Sequence, residues 1–315
     1  MKQINLRKVA VIGSGFVGAA SAFALMQRGL FSEIVLVDVN HERAEGEALD
    51  IGHGMPLAKP AKIYAGDYSD IEDAAIIVVT AGANQKPGET RLDLVKKNTA
   101  IFKDIMSEIA KLNYQGILLI VANPVDILTY TAVKYSGMPS RRVIGSGTVL
   151  DTARLKYLLA EHLEVDSRSI HAFIVGEHGD SEFAVWSSAN VSGVPLLDFC
   201  DMRGHFNHQQ AMFEIENTVR NSAYEIIKRK QATYYGIAMA VGRICEAVIR
   251  DEKSVLSVSS LIHNFYGVED VTLSIPAVVG MEGIETLVPI RLNESEQEKL
   301  RNSANVLKDI IREVF

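Results

Sequence analysis

Short runs of consecutive apolar residues alternate along this chain with longer stretches in which apolar side chains recur every three to four positions. Five runs mark the first half: Val9–Ile12, Ile34–Val37, Ile76–Val79, Ile117–Val121 and Val143–Ile144. Runs this short and rich in β-branched residues predict strands covered on both faces. Between them, residues 19–28 are rich in Ala, Leu and Met and close on Gly29. Residues 97–112 place Ile101, Ile105, Ile109 and Leu112 on one face. Both patterns predict helices. Pro124 to Ser136 predicts another, with Asn123 as N-cap and Pro124 in the first helical position. Alternating strands and helices imply a doubly wound parallel sheet, whose ligands sit beyond the carboxyl ends of the strands.

After about Gly147 the texture changes. A helix is predicted from Leu150 to His162, then a strand from Ile170 to Val175. Strand-like runs follow at Ala184–Ser188 and Thr272–Ile275, and helical patterns at His208–Lys230, Tyr235–Arg250 and Glu294–Val314. No repeat, low-complexity segment or Pro-rich linker interrupts the chain. The expected architecture is α/β: a Rossmann domain over residues 1–146 and an α+β substrate domain over 147–315, sharing a large interface.

Composition narrows the partners. Hydrophobic residues make up 48% and charged residues 23% of the 315, as in a soluble globular protein. A net charge of −7 argues against nucleic acid. The first eight residues hold no signal-peptide core, and no apolar stretch approaches the ~18 residues of a membrane span. A cytoplasmic protein without membrane partners is expected. Cys200 and Cys245 fit no metal or redox spacing, so no metal is expected.

Two constellations carry chemistry. In the first, Gly13-Ser14-Gly15-Phe16-Val17-Gly18 stands between a predicted strand and a predicted helix. There the first Gly permits a tight turn, the second lets backbone approach a pyrophosphate, and the third lets helix pack on strand. The helix N-terminus supplies amide donors and a positive dipole end for phosphates. Asp38 ends the second strand twenty residues past Gly18. A carboxylate at that place accepts from ribose hydroxyls and repels a 2′-phosphate, which favours NAD over NADP. Ala81, Gly82, Ala83, Val121, Asn123 and Ser146 follow other strand ends and should line the same cleft.

The second constellation is Gly176-Glu177-His178-Gly179-Asp180 with Asp151-Thr152-Ala153-Arg154 upstream. Histidine exchanges a proton near neutral pH, aspartate fixes its tautomer and stabilises its charged form, and arginine grips a carboxylate through two parallel hydrogen bonds. The polar segment 83–91, with Pro87 and Gly88, suits a lid over the cleft.

Together with 81–91, Asn123-Pro124-Val125-Asp126 and 145–154, these blocks make the whole chain resemble the lactate/malate dehydrogenase family, and more closely its bacterial L-lactate dehydrogenases. The resemblance implies NAD as cofactor and L-lactate/pyruvate as substrate pair. It implies His178 as proton donor and acceptor, Asp151 as its orienting partner, and Arg91, on the lid, as the group that polarises the carbonyl. Arg154 would bind the substrate carboxylate. Asn123 would hydrogen-bond substrate and help place the nicotinamide, and Thr233 would lie beside the substrate's small side chain. Gln85 stands where malate dehydrogenases of the family have arginine. Burying the second carboxylate of oxaloacetate against neutral Gln85 would cost roughly 3–5 kcal/mol, on the order of a hundredfold in preference. The alternatives are a malate or other L-2-hydroxy acid dehydrogenase and a non-catalytic NAD-binding protein. Many bacterial relatives take fructose 1,6-bisphosphate on a basic pair at a subunit interface. His171 matches one member of that pair, but Lys156 replaces the usual Arg, and lysine lacks the bidentate fork. Weak or absent activation is expected. A homotetramer is expected by resemblance.

Overall fold

The computed structural model describes residues 3–83 and 88–315. Six strands form a parallel array: β1 (Asn5–Ile12), β2 (Glu33–Val37), β3 (Lys62–Ala65), β4 (Ala74–Val79), β5 (Ile117–Ile120) and β6 (Val143–Gly145). Their order is β6-β5-β4-β1-β2-β3. The direction of winding reverses between β1 and β4, which opens a crevice at the carboxyl ends of those two strands. Helices α1 (Phe16–Arg28), α2 (His41–His53), α3 (Arg91–Lys111) and α4 (Val125–Tyr135) cover the sheet. Successive strand side chains point to opposite faces, and both faces are packed. Val9 and Val11 join Leu25 and Leu36 on one side, while Ala10 and Ile12 join Phe102 and Leu118 on the other. An unbroken apolar run is what such a strand needs.

The second half begins with α5 (Val149–Leu163) and five two-residue strands: β7 (Ile170–His171), β8 (Ile174–Val175), β9 (Phe183–Ala184), β10 (Asn190–Val191) and β11 (Val194–Pro195). Then come α6 (Leu196–Met202), α7 (His208–Lys230) and α8 (Tyr235–Ile249). Three antiparallel strands, β12 (Ser254–Ile262), β13 (Val271–Gly280) and β14 (Gly283–Leu287), precede α9 (Glu294–Val314). β12 lies antiparallel beside β6, with Ser259 opposite Gly145, so one nine-stranded sheet runs through both halves. α8 returns to the first half, where Val241, Ile244 and Cys245 enter the core around Val9 and Leu25. The mixed α/β architecture is the one expected.

Several boundaries differ from the sequence pattern. Pro124 is the N-cap of α4, not its first residue, because its carbonyl already accepts the first helical bond from Leu128 N at 3.0 Å. Asn123 Oδ1 instead accepts from Val125 N at 3.3 Å. α3 starts at Arg91, six residues before the predicted span, because Thr90 and Asp93 close a capping box there. The strand predicted over Ile170–Val175 divides. β7 pairs with β10 and β8 with β9, in separate sheets. Of the next predicted strand, Ala184–Ser188, only Ala184 is in a strand, the end of β9, and Trp186–Ser188 turns as a 3-10 helix. The pattern missed α2, β3, β10, β11, α6, β12 and β14. In β12, Ser257, Ser259 and Ser260 read as polar but are buried. Ser257 Oγ donates to Ile174 O at 2.7 Å and Ser259 Oγ to the Asp126 carboxylate at 2.6 Å.

Candidate active site

α5 starts just past β6, and its first turn faces the cleft. Asp151 and Arg154 are three residues apart, hence neighbours on one helix face. Asp151 Oδ1 accepts from Arg154 Nη1 at 2.7 Å, and Asp151 Oδ2 lies 2.6 Å from His178 Nδ1. The carboxylate thus ties the imidazole to the guanidinium and leaves His178 Nε2 on the opposite edge of the ring. The loop carrying His178 is anchored separately. His178 N donates to Asp126 Oδ2 at 2.7 Å, and the other Asp126 oxygen accepts from Ser259 Oγ.

The electrostatics follow from burial and pairing. Burial alone would depress the His178 imidazole, but the charge and hydrogen bond of Asp151 outweigh it and raise its pKa to about 9. Burial would raise Asp151, yet His178 and Arg154 beside it hold its carboxyl below the usual range. Burial pushes Asp126 up to about 6, against the hydrogen bonds from Ser259 and His178 N and the charge of His178. Asp126 was absent from the residues assigned roles above. An acid inside the otherwise apolar start of α4 was the available signal.

The glycine turn fits NAD. Gly13 has φ +97°, and a Cβ there would lie 2.6 Å from Ala81 N. A Cβ on Gly18 would lie 1.8 Å from Gly13 O. Gly13 lets the tight turn pass close to the end of β4, and Gly18 lets α1 pack against that turn. A Cβ on Gly15 would meet nothing within 4 Å. The middle glycine therefore opens onto free space, and as N-cap of α1 it adds no side chain to cover the first-turn amides of Phe16, Val17 and Gly18. Asp38, at the end of β2, accepts from Ser14 N at 2.6 Å and from Asn40 N at 2.9 Å, which brings its carboxylate to the rim of that turn. The cradle and the acid are those a diphosphate and an unmodified ribose require.

The other cleft residues come from neighbouring strand ends. Ala83 N donates to Asn98 Oδ1 at 2.7 Å, and Asn98 Nδ2 donates to Asn123 O at 3.0 Å. Asn98, buried on α3 and not anticipated, thus joins the segment after β4 to the one after β5. Val121 N and Ser146 N donate to Val79 O and Ile120 O, each continuing the ladder just past its strand. A Cβ on Gly82 would stand 3.6 Å from Ala122 Cβ, so these two segments touch. Thr233 sits in the turn between α7 and α8. Three residues on, a Cβ on Gly236 would come within 2.9 Å of Leu150, which places this turn against the start of α5. Phe16 stacks on Tyr234 with ring centroids 5.5 Å apart.

Gln85 lies outside the described residues. Arg91 opens α3, and its side chain is also outside what is described. Lys156 lies on α5, where burial lowers its pKa, and His171 is exposed on β7, against which α5 packs.

This fold and site define a nicotinamide-dependent dehydrogenase. Residues 7–145 match the family model for the lactate/malate dehydrogenase NAD binding domain, and residues 148–315 match that for the family's alpha/beta C-terminal domain. The chain belongs to the lactate/malate dehydrogenase family. It is 54% identical over 307 residues to the L-lactate dehydrogenase of Acetivibrio thermocellus, covering 98% of this chain and 97% of that one. It is 54% identical over 309 residues to the L-lactate dehydrogenase of Thermoanaerobacterium saccharolyticum, covering 98% and 99%. Among solved structures, a lactate dehydrogenase from a Medee basin deep-sea metagenome library superposes with a TM-score of 0.96 at 45% identity, covering 100% and 99%.

Proposed function

We propose that the protein is an NAD-dependent L-lactate dehydrogenase, interconverting L-lactate and pyruvate. The observation that carries this reading is Asp151, which holds His178 at 2.6 Å and Arg154 at 2.7 Å through its two oxygens. A proton donor and a carboxylate-binding cation are thereby set side by side at the cleft. Gly13 to Gly18, Asp38, Gly82, Ala83, Val121, Asn123 and Ser146 would hold the cofactor, which supplies the hydride when bound. Arg154 binds the carboxylate of the 2-keto acid and orients its carbonyl. Protonated His178 gives its Nε2 proton to the carbonyl oxygen, and Asp151 stabilises the imidazolium beforehand. Arg91 opposes the negative charge that develops on that oxygen, Asn123 hydrogen-bonds substrate, and Thr233 borders its small side chain. In the reverse direction neutral His178 takes the hydroxyl proton.

Gln85 favours one carboxylate over two, which is why pyruvate rather than oxaloacetate is proposed. Residues 1–146 then form the cofactor unit and 147–315 the substrate unit. Lys156 and His171 make a weak effector pair at most. Exposed Phe23, Leu49, Leu57 and Met239 give the protein apolar surface to bury in a homotetramer, and the proposed compartment is the cytoplasm. No described helix is long and apolar enough to cross a membrane.

The test is NADH oxidation with pyruvate and, separately, with oxaloacetate. A kcat/KM ratio of about a hundred or more for pyruvate is expected from the unpaired-charge cost. Preference for oxaloacetate would make the protein a malate dehydrogenase, and turnover of neither would leave a dehydrogenase of a bulkier 2-keto acid or a non-catalytic NAD-binding protein.

A further inference from the structure

A second carboxyl group faces the histidine. Glu182 is buried, and its Oε2 lies 3.8 Å from His178 Nδ1. Its place is set by backbone on both sides. Glu182 N donates to Gly179 O at 3.2 Å, and the next residue, Phe183, pairs with Val175 where β9 meets β8. Arg220 of α7 donates to the main-chain carbonyl of Glu182 at 3.0 Å. The same guanidinium is already paired with Glu216 at 3.0 Å, and Glu216 also accepts from Trp186 Nε1 at 2.9 Å. The described partners of Arg220 therefore leave the Glu182 carboxyl turned toward the dyad.

The charges around it are unequal. Arg154 and protonated His178 are two cations, and Asp151 is one anion whose two oxygens are both taken, one by each. Among the described residues, Glu182 is the second acid beside the imidazole ring itself, while Asp126 meets the His178 backbone. The groups facing it are Asp151 and Arg154 from α5, His178 from its own loop and Arg220 from α7, while Asp126 of α4 acts on His178 from another side.

We propose that Glu182 is a positioning residue for proton transfer, a second buried carboxyl that keeps His178 charged to a higher pH than Asp151 alone would. This rests on the reading of His178 as the proton donor. Burial, with Asp151 adding, pushes the Glu182 carboxyl up to about 8, so it ionises in the range where the imidazole is still charged. The two groups titrate as a pair, and the pH profile of the reaction reports the pair.

Glu182→Gln keeps size and removes charge. The His178 ring, labelled with nitrogen-15, is titrated by NMR without nucleotide in the wild type and the variant, and kcat/KM for pyruvate is measured over the same pH range. Both midpoints are expected to fall by about one pH unit in the variant, a tenfold loss of proton affinity. Glu182→Asp, which retains the charge, is expected to recover part of the shift. The midpoints are read independently of plateau activity, and Glu182→Met serves as the uncharged variant should the Gln form not fold. An unmoved ring midpoint overturns the proposal. A ring midpoint that falls while the pyruvate profile stays in place upholds the effect of Glu182 on His178. It removes His178 from the proton transfer instead.

Discussion

The carboxylate of Asp126 accepts a hydrogen bond from the backbone N–H of His178 at 2.7 Å, across fifty-two residues of sequence. An acid on α4 thereby fixes the height of the histidine loop, while Asp151 on α5 fixes the plane of the ring. Position and orientation are set by two different helices. Asp126→Ala would strip a partner from two buried donors, His178 N and Ser259 Oγ. Leaving each unpaired costs about 1–3 kcal/mol. The variant should lose about 2–6 kcal/mol in urea unfolding, with kcat reduced at least about tenfold by the displaced imidazole. Full stability with unchanged kcat would show that the loop holds itself.

His178→Asn removes the proposed proton donor and leaves the glycine turn and Asp38 untouched. NADH binding, followed by fluorescence, should stay within about twofold, while pyruvate turnover falls about 10²–10⁴-fold, the usual size of general acid catalysis. Surviving turnover would move the proton to another group.

Pyruvate reduction needs imidazolium and lactate oxidation needs the neutral ring. Asp151 raises His178 to about 9, so the charged form dominates at neutral pH and is lost as pH rises through that value. The kcat/KM for pyruvate should be flat below about 9 and fall about tenfold per unit above it, while that for lactate should rise about tenfold per unit below about 9 and level off above it. Parallel profiles for the two substrates would remove the histidine from both directions.

Two glycines only three residues apart should respond oppositely to Ala. In Gly18→Ala the new methyl would sit 1.8 Å from Gly13 O, a backbone atom that cannot turn away. Stability should fall by about 3 kcal/mol or more, at the upper end for overpacking. In Gly15→Ala the methyl meets nothing within 4 Å, so thermal unfolding should be nearly unchanged. It would stand where backbone approaches the pyrophosphate, and NADH affinity should fall about tenfold or more. Equal NADH affinity in Gly15→Ala would place the cofactor elsewhere.

Asp38 both caps the glycine turn and presents its charge at the rim. Asp38→Ser should raise the NADPH/NADH ratio of kcat/KM by at least about tenfold, since the charge that repels a 2′-phosphate is gone. It should also weaken NADH binding through the lost bond from Ser14 N. An unchanged ratio would separate the carboxylate from cofactor choice.

The residues legible in the sequence are those whose role is stated locally. Val9–Ile12 is an unbroken apolar run because β1 is covered on both faces, and Gly13, Gly15 and Gly18 announce a turn in which Gly13 takes φ +97° and a Cβ on Gly13 or Gly18 would strike backbone. Asp151 and Arg154 share a helix turn, so their spacing already placed them together. The partners that complete the site are not local. Ser257 and Ser259 read as polar because their hydrogen bonds, to Ile174 O and to Asp126, run to other elements, and this concealed β12. Asn98 looks like any surface position of an amphipathic helix until the ends of β4 and β5 close on it. Glu182 follows His178 by four residues in a loop, where spacing implies no contact. The pairing of β8 with β9 turns it back to 3.8 Å. Sequence alone determined the strands β1, β2, β4, β5 and β6, the glycine turn and the residue proposed as proton donor, because each depends on neighbours along the chain. Tertiary structure decided what surrounds that donor, because burial and charge are set by residues the chain brings back from afar.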